Sequence, residues 1–174
     1  MTDDEQRCRD GAVVPAPPGR VWEVLTDLTT WAEWWTLVDV VPLGPTTLAP
    51  GVRFRFEGAR PGRPPTVWTV EVVALDPPAR IELAYVEGDL VGRTEWSLEE
   101  AEGGTLATYV YHGVRATSEA SGATFARYGT RLHSVAMQVD ALAGLGRFVA
   151  GLPLDEPWRA EVRARMDDGV AALG

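Results

Sequence analysis

Between residues 66 and 115, apolar side chains return at every second position in four successive stretches. That period belongs to half-buried strands rather than to helices. TVWTVEVVAL (66–75) places Trp68, Val70 and Val72 on one face, and ARIELAYVE (79–87) does the same with Ile81, Leu83 and Tyr85. VGRTEWSLEE (91–100) sets Trp96 and Leu98 against Arg93, Glu95 and Ser97. TLATYVYHGVR (105–115) separates Thr105, Ala107, Tyr109 and Tyr111 from Leu106, Thr108, Val110 and His112, and either set can be the inner one. The connections DPP, GD and EGG are turn signals, too short for a crossover, so the four strands form an antiparallel meander.

A fifth stretch, GVRFRFEG (51–58), alternates Val52, Phe54 and Phe56 with Arg53, Arg55 and Glu57, and follows LVDVVPLG through a Pro/Gly turn. ARPGRPP (59–65) reads as a loop. GAVV (11–14) predicts a short first strand, preceded by a polar leader (1–9) expected to be flexible. RVWEVLTDL has helical spacing with Pro17 and Pro18 at its start, and Thr29 and Thr30 are placed to cap a second short helix. That helix carries WAEWWTLV, in which Trp31, Trp34, Trp35 and Val38 share one face. Three indoles of about 150–250 Å² each would forgo on the order of 10 kcal/mol if left in water, so this face meets a core, a cavity or a partner.

Residues 118–150 return to helical periodicity without proline, with Phe125, Leu132, Ala136, Val139, Ala143 and Gly146 in one stripe. The small residues Ala141, Ala143, Gly144 and Gly146 suit close approach to a sheet. LPLDEPWRAEVRARMDDGVAAL ends the chain with a further helix, Asp155 at its N-cap and Pro157 in its first turn.

At 174 residues the chain fits one domain with its own core. No apolar run approaches a membrane span, and MTDDEQRCRD is unlike a secretory signal, so a cytoplasmic setting is expected. The net charge of −9 argues against a nucleic-acid partner. Lysine is absent, Cys8 is the only thiol, and His112 and His133 are the only imidazoles. A lysine Schiff base is therefore excluded, and neither a metal nor another cofactor is expected. Chemistry must come from carboxylates, tyrosines, arginines or a histidine.

VVPAPPGRVWEVLTDLTTWAEWW (13–35), PGVRFRF (50–56), VVALDPPARIELAY (72–85) and TEWSLEEAEGGTLATYVY (94–111) resemble the START-like or SRPBCC superfamily, most closely its polyketide cyclase/dehydratase branch. The resemblance implies an α+β helix-grip fold: a curved antiparallel sheet wrapped around a long C-terminal helix, with two short helices after the first strand. It covers most of residues 10–150 as a START-like ligand-binding domain, with 151–174 as a helical extension of the same domain and outside the pattern. It also implies a cavity for a hydrophobic or aromatic small molecule, with the tryptophan helix at its mouth.

Carried onto this sequence, the cavity would be lined by Trp31, Trp34, Trp35, Phe54, Phe56, Trp68, Tyr85, Trp96, Phe125, Tyr128 and Leu132. Tyr109 and Tyr111 could orient a carbonyl or donate a proton, and His133, one residue past the inward stripe, is the best-placed general base near neutral pH. Arg53, Arg55 and Arg93 fall on the convex face with Glu71 and Glu95 as partners, and His112 is left outside. Three functions fit: a cofactor-independent cyclase or dehydratase, a carrier or sensor of a hydrophobic ligand that performs no reaction, and an interaction module whose tryptophan face docks another protein. A homodimer is compatible with each.

Overall fold

A computed structural model describes residues 6–58 and 65–174. Most of the expected 59–65 loop and the first half of the expected leader lie outside the described residues. Strands β1 (Gln6–Val14), β2 (Val38–Pro42), β3 (Arg53–Gly58), β4 (Thr66–Asp76), β5 (Arg80–Gly88), β6 (Leu90–Ala101) and β7 (Gly104–Ala116) form one sheet. Its order is β1-β7-β6-β5-β4-β3-β2, every pair antiparallel. The four-strand meander is present, extended at one edge by the hairpin partners β3 and β2.

β1 starts five residues earlier than GAVV predicts. Gln6, Cys8 and Asp10 alternate with exposed Arg7 and Arg9, and Cys8 and Asp10 lie opposite Tyr111 and Tyr109 of β7. The back half of the expected leader is therefore a strand, its polar side chains split between the two faces by the pleat.

The outer face is held by ion pairs. Arg53 meets Glu71 at 2.6 Å and Arg55 meets Glu57 at 2.6 Å. Glu95 pairs with Arg80 at 2.8 Å rather than with Arg93, and His112 lies 3.8 Å from Glu95 on the same face.

The concave face is covered by helices. α1 (Pro18–Leu25) buries Val21, Val24 and Leu25. A 3₁₀ turn at Leu28–Thr30 follows, capped by Asp27, whose carboxylate accepts from the Thr29 amide at 3.0 Å. Thr30 does not cap: its hydroxyl donates back to the Asp27 carbonyl at 3.0 Å. α2 (Trp31–Trp34) is a single turn, so Val38 falls in β2 and not on the helix.

The expected long helix is helical but interrupted. α3 (Glu119–Tyr128) ends where Gly129 takes φ +58°, a conformation that favours glycine. α4 (Arg131–Ala136) runs into a π-helical turn at Met137–Ala141, then α5 (Leu142–Val149). The π turn carries a fully buried Asp140. Its carboxylate accepts from the Thr36 amide at 2.9 Å, the Thr36 hydroxyl at 2.7 Å and the Leu37 amide at 2.7 Å. One turn on, a Cβ at Gly144 would lie 1.9 Å from the Trp34 carbonyl oxygen. Gly144 thus admits α2, while α5 also packs against β1 of the sheet as its small residues suggest; the tryptophan turn is held on the broken helix by this glycine and the Asp140 carboxylate.

The C-terminal helix α6 (Glu156–Ala172) is capped by Asp155 and packs Trp158 and Val162 on Val139, beside Leu37, Val135, Ala143 and Met166. The apolar stripe of 118–150 is therefore divided. Val139 and Ala143 lie under α6, Gly146 lies beside Pro15, and Phe125, Leu132 and Ala136 face the space between helices and sheet.

Candidate functional site

Between the sheet and the helices lies a cavity of about 680 Å³, within the range of small-molecule sites. Its sheet wall is Trp68, Tyr85 and Tyr111, its near end Trp35, Leu37 and Val38, and its helix wall Phe125, Leu132, His133, Ala136 and Met137. α6 closes the remaining side with Arg163, Met166, Asp167 and Val170. Gln6, Gly58 and Thr66 complete the rim.

Seven of the residues singled out from the sequence form this wall: Trp35, Trp68, Tyr85, Tyr111, Phe125, Leu132 and His133. The others do not. Trp31, Trp34, Phe54, Phe56 and Trp96 are fully buried and interlock as solid core, with Trp31 5.4 Å from Phe54 and Trp34 6.4 Å from Trp96 between ring centroids. The Trp31 indole donates to the Leu25 carbonyl at 3.2 Å and that of Trp34 to the Thr30 hydroxyl at 3.3 Å, so both polar ends are satisfied within the core. Tyr109 lies behind the wall, its hydroxyl 2.7 Å from that of Tyr85. Tyr128 sits at the end of α3 with the Arg127 guanidinium 4.9 Å over its ring. The tryptophan turn is thus mostly foundation, and only Trp35, where the turn ends, reaches the cavity.

Sequence reasoning placed the terminal helix and its Asp155 cap but missed its part in the cavity wall, and it missed the strand in the back half of the leader. Arg163, Met166 and Val170 follow helical spacing on one face, a signal that was present but had no partner to point at. Gln6, Cys8 and Asp10 at every second position, with arginines between them, were the signal for β1.

Polar groups concentrate where β1 and α4 meet. The Tyr111 ring lies against the His133 ring with centroids 3.8 Å apart. His133 Nδ1 is 3.4 Å from Asp10 Oδ2 and 3.4 Å from Cys8 Sγ, and the Ser134 hydroxyl donates to Asp10 Oδ2 at 3.2 Å. Burial pushes the imidazole below its ordinary value, offset in part by Asp10. Burial pushes the Asp10 carboxyl up, but hydrogen bonds from His133 and Ser134 and the charge of His133 outweigh it and hold it below the usual value. Burial and the Asp10 charge lift the Cys8 thiol to about 12. Cysteine and aspartate both address the same ring nitrogen, so the three do not form a relay, and a thiol held protonated is no nucleophile. Burial likewise raises the phenols of Tyr109 and Tyr111 well above their ordinary value and that of Tyr85 to about 12, so all three stay protonated as possible donors. The Trp68 indole N–H is buried beside the Tyr85 phenol rather than turned into the cavity.

The family described as polyketide cyclase/dehydrase and lipid transport matches residues 6–173. The chain belongs to this family. The match runs through α6, so the terminal helix lies inside the family pattern and not beyond it, in keeping with its place in the cavity wall. A protein of Thermus thermophilus shares the fold at a TM-score of 0.70 and 20% identity, over 83% of this chain and 97% of that one. A Rhodobacter sphaeroides protein does so at 0.63 and 18% identity, over 85% and 94%. DynU16, a protein of the dynemicin biosynthetic locus, matches at 0.56 and 20% identity, over 87% of this chain and 49% of its own. Among curated proteins none matches. At these identities the structures show the fold alone, the helix-grip arrangement of the SRPBCC type. Among the described residues, no helix is long and apolar enough to cross a membrane.

Proposed function

We propose that this chain binds a hydrophobic, aromatic small molecule in the cavity and moves protons on it with its own side chains, as a cyclase or dehydratase of a polyketide-like intermediate. The observation that carries the reading is the wall itself: a space of about 680 Å³ with Trp35, Trp68 and Phe125 around it and His133 and Tyr111 in contact on one side. The apolar faces supply affinity. His133 presents Nδ1 to Asp10, which leaves Nε2 to take or give a proton. A protonated Tyr111 beside it can polarise a carbonyl. Holding a flexible, reactive substrate in one folded conformation supplies the rest of the rate. DynU16, which shares the fold, is a protein of the dynemicin biosynthetic locus. The net charge of −9 favours a small molecule over nucleic acid as the partner, and a cytoplasmic protein, monomeric or homodimeric, belongs to the same proposal.

A carrier without chemistry is the second reading, favoured by one observation: the Tyr85 and Tyr109 hydroxyls bond to each other at 2.7 Å rather than converging on the cavity. Native mass spectrometry of the full chain from its own host, followed by assay of any copurified compound and its precursors with His133→Gln and Tyr111→Phe, separates the two. An enzyme loses turnover in these variants and keeps affinity nearly unchanged; a carrier shows no turnover in any form and loses affinity in Trp35→Ala.

A further inference from the structure

Cys8, Asp10 and His133 are 125 residues apart at the extremes and yet bring a thiol, a carboxylate and an imidazole nitrogen together, all three ligand atoms within 4.8 Å of one another. Two of the three separations are close to a tetrahedral edge, and the third, Cys8 Sγ to the Asp10 carboxylate, lies within 4.8 Å, so side-chain rotation must close it on an ion. Cys8 Sγ to His133 Nδ1 is 3.4 Å and His133 Nδ1 to Asp10 Oδ2 is 3.4 Å. A charge-assisted N–H···O bond closes to about 2.7–2.9 Å, so the His–Asp contact is slack for a hydrogen bond. A tetrahedral zinc ion with about 2.3 Å to sulfur and about 2.0–2.1 Å to nitrogen and oxygen holds its ligand atoms roughly 3.3–3.6 Å apart, which matches both distances.

The surroundings fit as well. Cys8 and Asp10 leave the same face of β1 two residues apart, fixed opposite Tyr111 and Tyr109 by the β7 ladder. His133 comes from α4 and is held by the Tyr111 ring at 3.8 Å. Ser134 donates to Asp10 Oδ2 at 3.2 Å, the kind of outer hydrogen bond that orients a ligating carboxylate. Ion binding displaces the Cys8 thiol proton to solvent, and the resulting thiolate with the Asp10 carboxylate cancels the charge of a divalent ion, so the loaded site is neutral where Asp10 is buried.

We propose that Cys8, Asp10 and His133 bind a divalent transition-metal ion of the zinc class, tying β1 to α4. The three side chains leave one position of a tetrahedron for water or a ligand oxygen. Ligation at Nδ1 keeps the imidazole proton on Nε2, so the loaded protein offers a donor at the cavity wall. The site shares His133 with the reaction proposed above but is tested independently of it, since ion binding is read without substrate or turnover.

The test is cobalt(II) titration of the untagged full chain after chelator treatment, followed by visible and near-ultraviolet absorbance. The expected result is saturation at one ion per chain, a thiolate-to-cobalt charge-transfer band, and its loss on adding zinc. Cys8→Ser, close in size to the native residue and checked for folding by circular dichroism, should lack the band. Cys8→Ser and His133→Gln should each weaken binding by at least the roughly ten- to hundredfold typical of outer-shell losses. Absence of the band in the native chain overturns the proposal, as does an affinity equal to the native chain's in either variant.

Discussion

Tyr85 and Tyr109 share a 2.7 Å hydrogen bond in a buried position, with Thr94 beside both phenols. Removing either hydroxyl breaks that bond inside the core. Tyr85→Phe or Tyr109→Phe alone is expected to cost about 1–3 kcal/mol in denaturant unfolding, and the double change less than the sum, with a coupling of about 0.5–3 kcal/mol. The same phenols set an alkaline limit. Burial raises Tyr85 from 10.0 to about 12 in the folded chain. A folded-state value above the unfolded one gives a contribution that is fully present below pH 10 and is lost as the pH rises toward 12. Tyr109 and Tyr111 shift in the same direction. Unfolding midpoints should therefore fall steadily above pH 10, less steeply in Tyr85→Phe, and a phenolate difference spectrum should track that fall.

Two contacts decide how the tryptophan turn sits on the helices. In an exposed helix, replacing glycine by alanine gains up to about 1 kcal/mol; at Gly144 the new Cβ would lie 1.9 Å from the Trp34 carbonyl oxygen, and overpacking costs about 1–3 kcal/mol. Overpacking wins, so Gly144→Ala should lower the melting temperature. Asp140→Ala removes the acceptor of three hydrogen bonds and strands the Thr36 and Leu37 amides, with an expected loss of about 2–4 kcal/mol by thermal or denaturant melts. These joints were not legible beforehand. Period two identified the strands because each buries one face, and the DPP and EGG turns fixed the meander. Alternation reports which side of the sheet a residue faces, however, not how far along it the packing ends. Phe54, Phe56 and Trp68 share the concave face, and only Trp68 reaches the cavity. The meeting of Thr36 with Asp140, and of Cys8 with His133, depends on folded distances between segments more than 100 residues apart in sequence. The polar leader misled for a simpler reason: a strand with one face to water and the other to a polar cluster has no apolar pattern to read.

Across the whole molecule, a curved sheet, a broken helix and a terminal helix enclose a space that none of them fills. Ala136 lies on its helix wall and gives the most direct measurement of that claim. With Ala136→Phe, thermal melts and binding of a hydrophobic fluorescent probe are read together against the native chain. A genuine cavity accepts the added ring, so the melting temperature should hold or rise while probe binding falls by an order of magnitude or more. If the interior were packed solid, the same substitution would cost about 1–3 kcal/mol of stability and leave probe binding unchanged, and the account would be contradicted.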